Sequence, residues 1–171
     1  MPQTAEFVTA LVGCSIGTVT DLRWRRVPNW ITLPLPVLAI AFTLPSGPWA
    51  VGREIVLIAA LTLAGVALHA MGMLGGGDVK LIIGVGALLG YPACVSLLLY
   101  TAVAGGILAL AAALVRRRAS ELVRNVGVLL SSQGRYAASG GQTIPYAVAI
   151  AAGLVATILS LTSVPALRIP L

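Results

Sequence analysis

Long apolar runs separated by short polar or glycine- and proline-rich gaps fill this chain. Each run approaches the ~20 residues that a helix needs to cross a bilayer. The pattern predicts six helices, the fourth shorter than the others. Their expected limits are Glu6–Trp24, Trp30–Leu44, Glu54–Met73, a short helix beginning near Gly77, Pro92–Val115 and Thr143–Thr162. A polar segment, at about residues 116–142, separates the last two.

The composition agrees with a chain that lies in a membrane. Hydrophobic residues make up 58% of the 171 positions and charged residues only 9%, whereas a soluble domain carries roughly a quarter charged residues. We therefore expect one all-α integral membrane domain over residues 1–171. No basic region precedes the first apolar run, so we expect this run to stay as a membrane helix and not to be removed as a signal peptide.

The basic residues predict how the helices are oriented. Most of the eleven lie in the gaps after the first, third and fifth helices, and the net charge is +6. Cytoplasmic loops carry an excess of Lys and Arg. These gaps are therefore expected on the cytosolic face of the inner membrane, with both termini on the outer side. Basic residues in such gaps also suit anionic lipid head groups, and we expect no nucleic-acid binding.

The cysteines and the histidine give no support for a metal site or a cofactor. Cys14 and Cys94 lie far apart within apolar runs, and His69 stands alone in another. A zinc site needs several such ligands at short spacings. We expect neither a metal nor a cofactor.

The only two aspartates, Asp21 and Asp78, fall where apolar helices meet the predicted cytosolic interface. An ionisable residue at this edge costs on the order of 1 kcal/mol, so it is a candidate for function. Simpler explanations exist: Asp21 could pair with Arg25, and Asp78 with Lys80 or a helix N-terminus.

The other acidic residues have ordinary explanations. Glu6 and Glu54 are predicted to head helices on the outer side, where a carboxylate favours the positive end of the helix dipole. Glu121 falls in the polar segment.

Three glycines, Gly75, Gly76 and Gly77, come directly before Asp78. They allow an extended substrate backbone to approach the acid, and they tolerate dihedral angles closed to other residues. A glycine-rich loop before a helix can also bind phosphate, but no Gly-Lys-Ser/Thr follows and Asp78 would repel a phosphate. When two carboxylates share a site, one holds a proton near neutral pH. The ionised one can then activate water while the neutral one polarises a peptide carbonyl, which predicts peptide hydrolysis.

Three stretches resemble known sequences. The segment Asp21-Leu-Arg-Trp-Arg-Arg-Val-Pro-Asn29 resembles the Asp-x-Arg-x-x-x-Ile-Pro-Asn segment of type IV prepilin peptidases, with Val27 for isoleucine. Gly75-Gly-Gly-Asp-Val-Lys80 matches the Gly-x-Gly-Asp-x-Lys segment of these GxGD membrane aspartyl proteases. Ile144-Pro-Tyr-Ala-Val-Ala-Ile150 is similar to a stretch of the short peptidases that serve tight-adherence (Flp) pili, with Ala147 for glycine.

The resemblance implies that Asp21 and Asp78 are catalytic and that the substrate is a prepilin, cleaved at the cytosolic face behind its basic leader. The longer bifunctional relatives carry paired CxxC motifs and also methylate the new N-terminus. This chain lacks those motifs, so the resemblance implies a peptidase without methyltransferase activity. Supporting roles are weaker expectations: Arg23 and Lys80 either tune the dyad or anchor helices at lipid heads.

Pro28 and Asn29 are expected to end the first loop and cap the second helix.

Two further functions stay open. One is a small proton-coupled transporter that uses the same two carboxylates as a relay, although such acids usually lie near mid-membrane. The other is a non-catalytic assembly factor of a pilus or secretion machine.

Overall fold

The computed structural model describes residues 2–115 and 146–163. Within these ranges all regular structure is helical. The helices are α1 (Pro2–Trp24), α2 (Asn29–Thr32), α3 (Pro34–Thr43), α4 (Pro48–Ala70), α5 (Gly76–Leu89), α6 (Ala93–Val115) and α7 (Tyr146–Ser163), with a 3-10 turn at Leu44–Ser46. The predicted polar segment at about residues 116–142 and the predicted helix start at Thr143 lie outside the described residues.

The second predicted helix is a composite of α2, α3 and the 3-10 turn. Pro34 begins α3, where its missing N–H and fixed φ suit a first helical position. The apolar stretch Asn29–Ser46 is still long enough to cross a membrane. Counting this composite as one, the described residues contain the six predicted helices, which confirms an all-α membrane protein.

Four of these helical stretches are long and apolar enough to span a bilayer by themselves. They are Thr4–Trp24, Asn29–Ser46, Pro48–Ala70 and Ala93–Ala111, and α7 contributes a shorter apolar stretch, Tyr146–Thr162. Large apolar side chains point outward all around the bundle, as lipid-facing residues do; among them are Val8, Leu63, Leu99 and Leu159. Such a surface is stable in lipid and not in water.

Helix α5 is the short fourth helix that the sequence predicts, and it lies at the centre of the bundle. Its 14 residues extend about 21 Å, and α5 packs against α1, α3, α4, α6 and α7. Nearly all its side chains beyond the first turn are buried; Leu81 and Val85 are 0% exposed. The surrounding helices therefore hold α5 in place, and its first turn with it.

Glycines allow the other helices to come close to α5. A Cβ at Gly84 of α5 would lie 2.7 Å from Leu35 Cβ of α3, and one at Gly65 of α4 would lie 2.6 Å from Val79 Cγ1. Both distances are far below van der Waals contact, so these positions need glycine. Small residues thus allow close helix packing at these two positions, whereas Gly106 has no neighbour within 4 Å.

The predicted positions of Glu6 and Glu54 at helix starts are wrong. Helix α4 begins at Pro48, behind Gly47 at φ 96, so Glu54 lies well inside the helix. It is only 7% exposed, and its Oε1 has no hydrogen-bond partner among the described residues. Helix α1 likewise begins before Glu6 and carries no acidic residue in its first turn. Proline at the first helical position, read from sequence as part of a loop, explains the early start of α4.

Candidate active site

Asp21 lies in the last turn of α1. The helix ends because Arg25 adopts a positive φ of 50°, and the Arg25 N–H still bonds the Asp21 carbonyl at 2.8 Å. The left-handed region is unusual for a residue with a Cβ and costs roughly 1–2 kcal/mol. The chain then turns through Val27 to Pro28, whose extended φ and ψ lead into α2. This turn forms one wall of the site.

Asp78 lies in the first turn of α5, before the apolar part of that helix. The loop that precedes it is tied to the end of α4, since His69 Nδ1 lies 2.9 Å from the carbonyl oxygen of Leu74. A carbonyl oxygen only accepts hydrogen bonds, so His69 Nδ1 is the donor. At the other end of the loop, the Val79 N–H bonds the Gly75 carbonyl at 3.1 Å and starts the helix. These bonds fix the loop that presents Asp78.

The two aspartates line one open cavity of about 560 Å³ at the same end of the bundle. Its walls are the end of α1, the turn after it, and the glycine loop. The lining residues are Asp21, Leu22, Arg25, Arg26, Val27, Pro28, Asn29, Gly75, Gly76, Gly77 and Asp78. Cavities of roughly 300–1,000 Å³ are the usual size of small-molecule and cofactor sites.

Electrostatics distinguish the two acids. Burial, the nearby charge of Asp21 and, in the opposite direction, a hydrogen bond from the Gly75 N–H together raise the pKa of Asp78 to about 6. Asp21 is also partly buried, accepts a hydrogen bond from the backbone N–H of Ala147 and lies within electrostatic range of Arg25. The carboxylates therefore influence each other, and near neutral pH the pair can hold a proton on one member while the other is ionised.

The glycine loop uses its small residues differently from the sequence-based expectation. Gly75 has φ −68° and ψ 146°, which any residue can adopt, and no residue from Gly75 to Gly77 has a positive φ. The dihedral part of the expectation is therefore wrong. A Cβ at Gly75 would lie 2.8 Å from Asp78 Oδ2, and one at Gly77 would lie 3.3 Å from Val27 Cβ. The space beside Gly75 is occupied by the Asp78 carboxylate, and the space beside Gly77 by Val27 of the facing turn.

The remaining predicted supporting residues are Arg23, Pro28, Asn29 and Lys80. Asn29 lies at the start of α2 and does not cap it; its Oδ1 accepts a 2.8 Å hydrogen bond from Lys80 Nζ, which ties the turn to α5. Pro28 directly precedes α2, at the end of the loop, and it also lines the cavity. Arg23 does not line the cavity, and its guanidinium lies 5.5 Å from the ring centroid of Trp24, a cation–π contact.

Sequence reasoning missed several residues of this site. Arg25 entered only as a possible partner of Asp21, and Arg26 was only counted as a basic residue, yet both line the cavity. Their place between Asp21 and Pro28 was an available signal. The Ala147 N–H that bonds Asp21 comes from the third quoted stretch, to which no role was given. Within the described residues no group of three or more His, Cys, Asp or Glu side chains could hold a metal ion.

Comparison with known proteins gives one match. The model of the type IV leader peptidase family matches residues 8–110, more than half of the chain, and this stretch contains both aspartates and the whole glycine loop. No curated protein and no solved structure matches the chain.

Proposed function

Because this chain belongs to the type IV leader peptidase family, we propose that it is a membrane aspartyl endopeptidase whose catalytic pair is Asp21 and Asp78. The family implies prepilin-like substrates. The observation that carries the proposal is that two distant helices, α1 and α5, bring the only two aspartates of the chain to one open cavity. An ion pair or a helix cap would explain the position of either aspartate alone, but it would not explain why both line the same cavity.

The chemistry follows from the pair. The ionised carboxylate takes a proton from water, and the oxygen of that water attacks the carbonyl carbon of the scissile peptide bond. The neutral carboxyl gives its proton to the carbonyl oxygen. When the tetrahedral intermediate collapses, the C–N bond breaks and the carboxyl that took the proton from water passes it to the leaving nitrogen. A hydroxyl of the intermediate returns a proton to the other carboxylate, so that the amine and acid products leave and the pair is restored. The raised pKa of Asp78, about 6, favours an acid that is still partly protonated near neutral pH.

The proposal includes the class of substrate and the membrane face at which it is cleaved. We infer a prepilin of the Flp type, because the stretch Ile144–Ile150 resembles the short Flp peptidases, and a reaction at the cytosolic face of the inner membrane. The basic gaps support that orientation. The apolar helix of the substrate would anchor it beside the cavity, so that cleavage becomes effectively unimolecular. We propose that the protein does not methylate the new N-terminus of the cleaved prepilin.

The test is leader removal from a co-expressed Flp-type prepilin, followed as a gel mobility shift. Asp21→Asn and Asp78→Asn each remove one carboxyl group with little change of volume, and we expect at least a ~10³-fold loss of rate from either, as from removal of a catalytic group. Glu6→Gln is the matched control, because it makes the same chemical change in a membrane helix but outside the cavity lining. Normal processing by either aspartate variant would refute the proposal.

The transporter alternative is tested with the same variants. The two aspartates line an open cavity, whereas a relay would continue through the bundle, and the described centre of α5 is apolar. Proton flux into reconstituted vesicles that depends on Asp21 and Asp78, together with unimpaired leader processing by both variants, would favour the transporter.

A further inference from the structure

The first turn of α7 lies beyond the matched residues 8–110, yet it contacts Asp21. Helix α7 packs mainly against α6 and also against α1 and α5. The Ala147 N–H donates a hydrogen bond to the Asp21 carboxylate. The first four N–H groups of a helix have no partner within it, and they carry the partial positive charge of the helix dipole. An N–H at this position is therefore free to hold a carboxylate.

A second bond ties the same residue of α7 to α1. The Thr18 hydroxyl lies 3.1 Å from the carbonyl oxygen of Ala147 and 2.8 Å from that of Cys14, and it shares its single proton between them. Thr18 precedes Asp21 by almost one helical turn, so both lie on the same side of α1. Ala147 itself is 0% exposed. Two contacts thus align the last turn of α1 with the first turn of α7.

Tyr146, the neighbouring residue, is seated by α6. A Cβ at Gly105 would lie 2.8 Å from Tyr146 Cε2 and 3.0 Å from its hydroxyl oxygen, so only glycine leaves room for the ring. The Tyr146 side chain lies within electrostatic range of Asp78. The same helical turn therefore faces both aspartates, by its backbone and by its side chain.

We propose that the first turn of α7 is a positioning element of the active site, in which the Ala147 N–H holds Asp21 as the ionised general base and leaves Asp78 as the proton donor. The inference rests on the proposed peptidase function. It assigns the roles of general base and proton donor to individual aspartates, and it adds a third chain segment, the first turn of α7, to the site. Arg25 on the turn after α1 supports the same assignment, since its positive charge lies within electrostatic range of Asp21.

Ala147→Pro tests the proposal because it removes the N–H itself. Proline is tolerated in the first turn of a helix. Val148→Pro is the matched control: it imposes the same backbone restriction one residue later, at an N–H that is not a donor to Asp21. Cleavage of a full-length Flp-type prepilin by the purified full chain in proteoliposomes gives kcat, KM and the pH profile.

We expect Ala147→Pro to lower kcat by about 10- to 100-fold with KM changed less than about threefold, in line with the loss of one hydrogen bond to a charged group. The acidic limb of its pH–rate profile should move to higher pH, because a carboxylate that has lost a donor is protonated more easily. The charged and titratable groups that act on Asp21 here, Asp78 and Arg25, are unchanged. Val148→Pro should keep the position of that limb. Equal losses in both variants without a shift, or wild-type kinetics in Ala147→Pro, would overturn the proposal.

A second pair of variants serves if proline at the buried position 147 prevents folding. Thr18→Val removes the hydroxyl and keeps the side-chain volume, and Thr18→Ser restores the hydroxyl. We expect Thr18→Val to lower kcat about three- to tenfold and Thr18→Ser to recover it; wild-type kcat in Thr18→Val would contradict the proposal. The aspartate variants separate the two levels: if they lose activity but the α7 variants do not, the peptidase function stands and the positioning role falls.

Discussion

Replacing Gly75 by alanine tests which group uses the space beside this glycine. The cavity lining alone would suggest that a substrate backbone needs the space, whereas the structure gives it to Asp78. The added Cβ would lie 2.8 Å from Asp78 Oδ2. The Gly75 N–H, which donates to the same carboxylate, is retained in the variant. Only the position of the acid is disturbed.

The size of the effect follows from this distance. Ordinary van der Waals contact begins near 3.4 Å, so the carboxylate must move by roughly half an ångström, which is about the tolerance of a catalytic constellation. A displacement of ~1 Å can cost ~100-fold in rate, and we therefore expect about a tenfold loss of kcat. The fold should not suffer, because φ and ψ at Gly75 suit alanine and such replacements stabilise by ~0.4–1 kcal/mol.

Gly76→Ala is the control, since Gly76 lines the same cavity. A Cβ there would meet His69 Cε1 at 3.6 Å, an ordinary contact. Initial rates of leader removal from an Flp-type prepilin and melting temperatures in detergent are measured for both variants. We expect Gly76→Ala to stay within about twofold of wild type. Equal losses of rate in the two variants would refute the reasoning, because they would mean that an approaching substrate backbone, and not the Asp78 carboxylate, needs the space.

Three further outcomes follow from the site. The folded-state pKa of Asp78 is raised from 3.8 to about 6. Its contribution to stability is therefore present at low pH and is lost as the pH rises through about 6. The melting temperature of Asp78→Asn should exceed that of wild type at pH 8, and the difference should vanish below pH 4. Cleavage by wild type should decline as the pH rises above about 6, since the proton donor is lost; a flat rate from pH 5 to pH 8 would contradict the role of Asp78. Lys80→Met breaks the 2.8 Å bond to Asn29, and a double-mutant cycle with Asn29→Ala should give a coupling energy of about 0.5–1 kcal/mol in unfolding free energy, whereas strict additivity would count against the bond.

The helices were predictable because the bilayer sets their length and composition. Apolar runs located all six helical stretches, including the short α5. The start of α4 was predicted too late because Arg53 and Glu54 resemble a polar boundary and Pro48 resembles a loop residue. In the structure Pro48 opens the helix and Glu54 is buried. Burial of a carboxylate depends on tertiary packing, which a local pattern does not encode.

The candidate site was predictable where side-chain chemistry carries it. Two carboxylates at helix edges, one behind three glycines, led directly to Asp21 and Asp78. The use of the glycines was not predictable, because Gly75 leaves room for the Asp78 carboxylate and Gly77 for Val27 of the facing turn, and these neighbours are set only by the folded structure. The contact from Ala147 is a backbone N–H, a group that every residue but proline possesses. Such a donor has no signature in sequence and appears only when the helices are placed in space.

Helix polarity alone would assign the two roles in the opposite way. Asp21 lies at the negative end of α1 and Asp78 at the positive end of α5, which favours an ionised Asp78 by about 0.3–1 kcal/mol. Each carboxylate also accepts one backbone N–H, from Ala147 or from Gly75. A hydrogen bond to a charged group contributes about 1.5–3 kcal/mol, so these two bonds roughly offset each other.

The balance then depends on burial, which is the largest influence on both carboxyls and is greater at Asp78, and on the charge of Arg25 beside Asp21. Both favour the proton on Asp78 and oppose the helix polarity. Loss of the Ala147 N–H removes more free energy from ionised Asp21 than helix polarity supplies to Asp78. The proton should then be shared more evenly between the two carboxyls, and the smaller fraction of ionised Asp21 should lower kcat. In the proposed mechanism, the Ala147 N–H therefore acts together with the burial of Asp78 and the charge of Arg25 to keep the proton on Asp78, although α7 lies outside the matched residues.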